Sequence, residues 1–117
     1  MKLYVVIPCY QEEEVLPETA RRMKEKMASL AGRGLISPES RVVFVNDGSR
    51  DATWRIITEL CEQDPLFEGI SLSRNRGHQN ALLAGLMTVK EKADAVISMD
   101  ADLQDDINAM DEMVQKY

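Results

Sequence analysis

The stretch Ala95-Val96-Ile97-Ser98-Met99-Asp100-Ala101-Asp102-Leu103-Gln104 decides how this chain is read. Its first half is an apolar run of strand length, read as a buried β-strand. Its second half delivers two carboxylates and an amide where that strand stops. Side chains two apart in an extended segment point the same way. Asp100, Asp102 and Gln104 are therefore expected on one side, and Ala101 and Leu103 on the other. Hard oxygen donors grouped like this suit Mg²⁺ or Mn²⁺. A divalent ion held by one or two carboxylates completes its shell with water and substrate phosphates, so a diphosphate is the matching ligand. An isolated Asp-x-Asp is more often a solvated acidic turn. What surrounds it decides between the two readings.

Working outward, three more apolar runs read as strands: Leu3 to Pro8, Arg41 to Asn46 and Glu68 to Ser73. All are short and rich in Val and Ile, as strands buried on both faces are. Helical patterns lie between them. Leu16, Ala20, Met23, Met27 and Leu30 recur at spacings of four and three and form one apolar stripe. Pro17 suits the first turn of that helix, and Gly32 and Gly34 suit its end. A second helix starts near Asp51, a good N-cap, carries Trp54, Ile57, Leu60 and Cys61, and stops before Pro65. A third, from about Gln79 to Lys90, opens apolar and is expected to be well buried. A fourth begins after Asp105 and is still in progress at Tyr117. Strand–helix alternation of this kind predicts an α/β fold, a Rossmann-like open sheet of parallel βα units. The chain ends inside a predicted helix, so residues 1–117 are expected to be the front part of a larger protein. An open sheet edge and helix face would then favour marginal stability or a homo-oligomer.

Composition narrows the partners. With 117 residues, 44% hydrophobic and 29% charged, the chain is one soluble-type domain at most. Its net charge of −6 argues against nucleic acid and against purely electrostatic attachment to an anionic membrane. No apolar run approaches the roughly 20 residues that span a bilayer. No signal-peptide pattern precedes the first strand, which reads as a cytoplasmic chain. Cys9 and Cys61 have no metal-type spacing and read as two reduced, buried thiols.

In open parallel sheets, ligands bind beyond the carboxyl ends of the strands. Here every strand ends in polar chemistry: Pro8-Cys9-Tyr10-Gln11-Glu12, Asn46-Asp47-Gly48-Ser49, Ser73-Arg74-Asn75-Arg76-Gly77, and the aspartate run. Tyr10 can stack on a base, and Glu12 and Asp47 can accept from a ring N–H or ribose hydroxyl. Arg74 and Arg76 can offset diphosphate charge, while Asn75 and Gly77 shape the entry to the third helix. Each piece alone has a plainer reading. Asn46 to Ser49 is equally a turn with a helix cap, and Tyr10 equally packs on the rim. His78, the one histidine, reads as a packing or capping residue. Trp54 and the methionines at helical spacing read as core.

The motifs Val6-Ile7-Pro8-Cys9-Tyr10-Gln11-Glu12, Val45-Asn46-Asp47-Gly48-Ser49, Leu72 to Gln79 and Met99 to Asp105 stand together in order and spacing. In them the chain resembles the family-2 inverting glycosyltransferases of the nucleotide-diphospho-sugar transferase fold. It is most similar to the polyprenyl-phosphate sugar transferases, such as dolichyl-phosphate mannose synthase and the bactoprenol glucosyl transferases. The resemblance implies that Pro8, Tyr10 and Glu12 hold base and ribose, that Asp47 contacts the nucleotide, and that Asn75 and Gly77 belong to the same site. It implies Asp100 beside the donor's ribose, diphosphate or sugar, and Asp102 as direct metal ligand with Gln104 as a possible second. Asp100 and Asp102 would be the catalytic pair, with Mg²⁺ or Mn²⁺ as cofactor. The donor would be a nucleotide-diphosphate sugar, UDP favoured over GDP by family frequency. The acceptor would be a lipid phosphate at the inner face of the cell membrane. Two departures stand out. Gln11 replaces the usual Asn, and Asp106-Ile107 replaces two prolines. The family's acceptor half has no counterpart in these residues. A donor-binding module without catalysis and transfer to a saccharide hydroxyl therefore stand as alternatives. A phosphoacceptor receiver domain fails because its acidic pair should follow the first strand, where Pro8-Cys9-Tyr10 stands. A dinucleotide fold fails for want of Gly-x-Gly-x-x-Gly there.

Overall fold

A computed structural model of the chain describes residues 1–103 and 106–116. The elements are β1 (Leu3–Cys9), α1 (Leu16–Gly32), β2 (Arg41–Asp47), α2 (Thr53–Gln63), β3 (Phe67–Leu72), α3 (His78–Val89), β4 (Ala95–Ser98) and α4 (Asp106–Gln115). The alternation is the one read from the apolar runs, with small shifts at the ends. β1 and β2 each run one residue further, and β3 ends before Ser73. α4 closes at Gln115, before Tyr117, which lies outside the described residues.

The four strands are parallel in the order β3-β2-β1-β4. Successive strands step outward from β1 to β2 to β3, then the chain crosses back to place β4 on the other side of β1. Right-handed crossovers put the helices of outward and return steps on opposite faces. The packing follows that rule. Leu3, Val5 and Ile7 of β1 and Val42 and Phe44 of β2 join one core with side chains of α1, α2 and α4. Tyr4 and Val6 of β1 and Val43 and Val45 of β2 face the other way, onto Ala81 and Val89 of α3. The period of two along each strand thus feeds two cores at once. Phe44 and Phe67 stack in the first core, their ring centroids 5.7 Å apart.

Three expectations need correction. The outer strands are not buried on both faces: β4 is half-buried at Ala95, Val96 and Ile97 and exposed at Ser98, and β3 is buried only at Phe67. Each has a single strand neighbour, and α3 covers chiefly the central pair. α3 is not well buried either. Ala81, Gly85 and Val89 form one buried stripe, while Leu83 and Met87 are 55% and 56% exposed. It lies alone on its face of the sheet among the described helices, so only one stripe finds a partner. Cys61 is half-buried, unlike Cys9. The α1 stripe is buried as read, Met23 and Met27 included.

Gly85 decides how close α3 comes to the sheet. A Cβ built there would lie 2.5 Å from Val6 Cγ1 and 3.0 Å from Val45 Cγ2. Alanine favours helix by up to about 1 kcal/mol over glycine. Forcing a methyl into a filled core costs about 1–3 kcal/mol. Val6 and Val45 sit on the two central strands and are fully buried, so they have little room to yield. The overpacking term should win. Gly85→Ala is expected to lower unfolding stability by about 1–2 kcal/mol, read from urea denaturation midpoints. An unchanged or higher midpoint would show that helix propensity prevails.

Candidate active site

The crossing back from β3 to β4 leaves a crevice at the carboxyl ends of β1 and β4, where adjacent chain segments diverge. The loop leaving β1 enters it. Its backbone is held by side chains from the β2–α2 loop and the start of α2: Gln11 N–H donates to Ser49 Oγ at 2.9 Å, and Glu12 N–H to Thr53 Oγ1 at 2.9 Å. Thr53, fully buried, in turn donates to Asp51 Oδ1 at 2.5 Å. Asp51 also accepts the Thr53 N–H at 3.0 Å, so it caps α2 from one residue further out than a standard N-cap. Gln11 has φ +53. That left-handed conformation suits Asn better than Gln, which gives a physical meaning to the departure at this position.

The ends of β2 and β3 are tied in the same way. Asn46, 3% exposed, donates from Nδ2 to Ser71 Oγ at 3.1 Å and accepts the Ser49 N–H at 3.2 Å. Asp47, also 3% exposed, accepts the Arg76 N–H at 2.6 Å. Gly48 follows at φ +68, and a Cβ there would lie 2.3 Å from Asn75 N and 2.4 Å from the Arg74 carbonyl carbon. Only glycine lets the two loops touch like this. Asn75 Oδ1 accepts the Gly77 N–H at 2.8 Å and shapes the entry to α3.

The aspartate run behaves as expected for a different reason. Asp100 and Asp102 are exposed, and Ala101 and Leu103 are buried. The segment is a turn, however, not an extended strand: Leu103 N–H donates to Asp100 O at 3.1 Å, with Leu103 at φ +60. The alternation comes from two apolar side chains sunk into the core, not from strand pleating. Gln104, expected as a second metal ligand, lies outside the described residues.

These pieces enclose one cavity of about 390 Å³. Pro8 lines it from β1, Tyr10 and Glu12 from the loop that follows, Asp47 from β2, Asn75 and Gly77 from the entry to α3, and Asp100 and Asp102 from the far side. Every described residue that the family resemblance assigned to the site is in this wall. Arg74 and Arg76 are not; Arg76 contributes through its backbone N–H to Asp47, and Arg74 lines a neighbouring hollow with Gly48 and Trp54. Besides Ala101 of the aspartate turn, two lining residues were missed. His78 neither packs nor caps: Gly77 holds the N-cap position, and His78 Nε2 stands 3.8 Å from Asp100 Oδ1 in the cavity wall. Cys9 also lines the cavity. The signal for both was their adjacency to motif residues.

Electrostatics set what the cavity accepts. Burial raises the Glu12 carboxyl above its usual value, and the neighbouring Asp102, Asp51 and Asp100 add to that. Carboxylates crowded in this way favour a cation between them. Burial, aided by Glu12, pushes the Cys9 thiol far up, and the thiol donates to Ile7 O at 3.4 Å. A thiol so held is a poor nucleophile. Among the described residues, no three His, Cys, Asp or Glu side chains converge into a closed metal cage. An ion here would take one or two protein ligands and leave the rest of its shell to water and ligand oxygens, as Mg²⁺ does.

Fold and cavity together match a known family. The glycosyl transferase family 2 pattern covers residues 4–117, and the chain belongs to that family. It is 44% identical over 98% of its length to the uncharacterized glycosyltransferase YkoT of Bacillus subtilis (strain 168), covering 34% of that protein. It is 40% identical over 100% of its length to a prophage bactoprenol glucosyl transferase homolog of Escherichia coli (strain K12), covering 36% of it. The chain thus spans about a third of the length of the curated relatives it matches. Among solved structures, the mannosyltransferase PcManGT from Pyrobaculum calidifontis, in complex with GDP-Man and Mn²⁺, aligns over 86% of this chain and 27% of that one. Its TM-score is 0.71 at 24% identity. S. aureus TarS 1–349 in complex with UDP-GlcNAc aligns over 96% of this chain and 32% of that one, with TM-score 0.64 at 23% identity. These likenesses confirm the fold.

Two outcomes are expected from this geometry. Gln11→Asn should raise stability by about 0.5–1 kcal/mol, because Asn tolerates the left-handed backbone better; chemical denaturation reads it. The second concerns Glu12. Its folded-state pKa is raised, so ionising it opposes folding. That penalty is absent below the unfolded value of about 4.3 and is complete above the raised folded value. Glu12→Gln should therefore raise the melting midpoint at pH 7 to 8 in chelator, with the gain disappearing near pH 3 to 4. A pH-independent difference would remove the carboxylate crowding as its cause.

Proposed function

We propose that residues 1–117 are the donor-binding part of a glycosyltransferase domain. The intact protein moves a sugar from a nucleotide-diphosphate sugar onto a lipid-linked phosphate at the inner face of the cell membrane. The observation that carries this reading is the cavity where Asp47, Glu12, Asp100 and Asp102 meet at the strand ends. Its support from relatives is the family membership and the bactoprenol glucosyl transferase named above. No helix among the described residues is long and apolar enough to cross a membrane. Contact with the lipid acceptor therefore falls to surfaces other than a spanning helix within these residues.

Each residue has a role in the proposal. Tyr10, 42% exposed at the mouth of the cavity, stacks on the base, and Pro8 forms the floor beside it. Asp47 accepts from the base or ribose with the oxygen that Arg76 leaves open, and Glu12 accepts from a ribose hydroxyl. Asn75 and Gly77 bring the first turn of α3 to the diphosphate side. Asp100 hydrogen-bonds the donor's sugar or ribose, and Asp102 holds a divalent cation, Mg²⁺ or Mn²⁺, with Gln104 beside it in sequence. When bound, such an ion offsets the charge that develops on the departing diphosphate. The acceptor oxygen attacks the anomeric carbon from the face opposite the diphosphate, and the sugar inverts. A phosphate acceptor is already ionised at neutral pH, so the step needs no general base. The donor is assigned as a UDP-sugar.

The deciding assay offers the full-length protein radiolabelled UDP-sugars and GDP-sugars with Mn²⁺, and either undecaprenyl phosphate or soluble saccharides. Label is expected in the lipid phase from a UDP donor. Asp102→Ala should lower that transfer by roughly two orders of magnitude. Its side chain is exposed, so stability should shift by no more than about 0.5 kcal/mol. Transfer only to a saccharide hydroxyl would refute the lipid acceptor. Donor binding without transfer to anything would favour a binding module.

A further inference from the structure

Thr19 lies on α1, 82 residues away in sequence from the aspartate turn, yet its hydroxyl donates to the Ala101 carbonyl. Both residues are buried, Thr19 at 3% and Ala101 at 5% exposure. A helical threonine ordinarily returns its hydroxyl to a carbonyl of its own preceding turn. Here the hydroxyl reaches across to the turn instead. The accepting carbonyl sits between the two aspartates. On one side the turn is closed by Leu103 N–H to Asp100 O, with the Leu103 side chain fully buried and its backbone at φ +60. A non-glycine residue keeps that conformation only where its surroundings hold it. Two anchors therefore fix the turn from below: an apolar one at Leu103 and a polar one at Ala101.

We propose that Thr19 is a positioning residue for the donor site, its hydroxyl fixing the Ala101 carbonyl so that Asp100 and Asp102 project into the cavity. Thr19 does not line that cavity. It acts through the backbone that the two aspartates share. Valine has nearly the same shape without the donor, so Thr19→Val would leave the core filled and take from the buried Ala101 carbonyl the one partner it has among the described residues. A buried carbonyl in that position moves toward water. The direction open to it is up, out of the core, with both carboxylates carried along.

The ligand side of this inference rests on the donor-binding reading given above, so the test needs one measurement that does not. Hydrogen–deuterium exchange of the peptide spanning residues 99–103 reports the turn itself. Calorimetry with UDP and Mn²⁺ reports the site. Thr19→Val is expected to speed exchange at the turn about fivefold or more and to weaken Mn²⁺-dependent UDP binding about tenfold. Thr19→Ser, which restores the hydroxyl, should return both to within about twofold of wild type. Ile57→Val, a methylene deletion in the same core, should lower the melting midpoint while leaving both readouts unchanged. Wild-type-like exchange and affinity in Thr19→Val would overturn the proposal, as would equal losses in Ile57→Val. If Thr19→Val does not fold, Thr19→Ala takes its place under the same criteria. If wild-type protein binds neither UDP nor GDP with Mn²⁺, the donor reading fails; the exchange comparison alone then decides whether Thr19 holds the turn.

Discussion

The parallel pairing of β1 with β2 on one side and β4 on the other is the constraint on which everything else rests. Parallel strands cannot be joined by tight turns, so each connection is a helix that must lie on a face of the sheet. Once β4 returns to the far side of β1, the connections after β1 and before β4 occupy opposite faces. The space between them at the carboxyl ends is left uncovered by backbone. Nothing about the individual site residues creates the cavity. They inherit it from strand order, and β1, buried along its whole length, is what keeps that order fixed.

Charge inside the cavity runs against the economy of a folded chain. Asp100 and Asp102 repel the Glu12 carboxylate, whose ionisation burial already disfavours. The surrounding backbone is held by neutral donors and acceptors such as Ser49, Thr53 and Asn46 rather than by the cavity carboxylates. The cation proposed for this site, with open coordination positions, would relieve that repulsion. Ion pairs elsewhere, such as Lys26 and Arg33 with Asp111, join the α1 side to α4 away from the cavity.

How much of this was legible in the sequence depended on whether the signal was local. The α1 stripe from Leu16 to Leu30 and the β-branched runs of β1 and β2 were read correctly because helix and strand periods are properties of consecutive residues. The cavity lining was legible because polar residues at strand ends have one place to go in a parallel sheet. What escaped was set by neighbours in space. Val96 and Ile70 look like core residues in a string of letters, but they belong to strands that each have one partner. Leu83 and Met87 are as apolar as Ala81 and Gly85 and lie on the side of α3 that meets nothing described. His78 looked like punctuation before a helix, and only the position of β4 brings it to Asp100. The left-handed backbones of Gln11 and Leu103 could not be read from either residue, since neither favours that conformation.

The contact at Gly48 has a consequence for anyone who would alter the ligand preference of this site. Because the Gly48 α-carbon rests against the backbone of Arg74 and Asn75, the turn after β2 and the entry to α3 behave as one interlocked piece. Grafting either segment from a relative by itself would import a mismatch of shape before any new side chain reached a ligand. The natural unit of exchange is the pair, residues 46–49 with 74–77, taken together from one parent. Libraries that randomise only one member sample mostly broken scaffolds, whereas paired cassettes explore recognition itself.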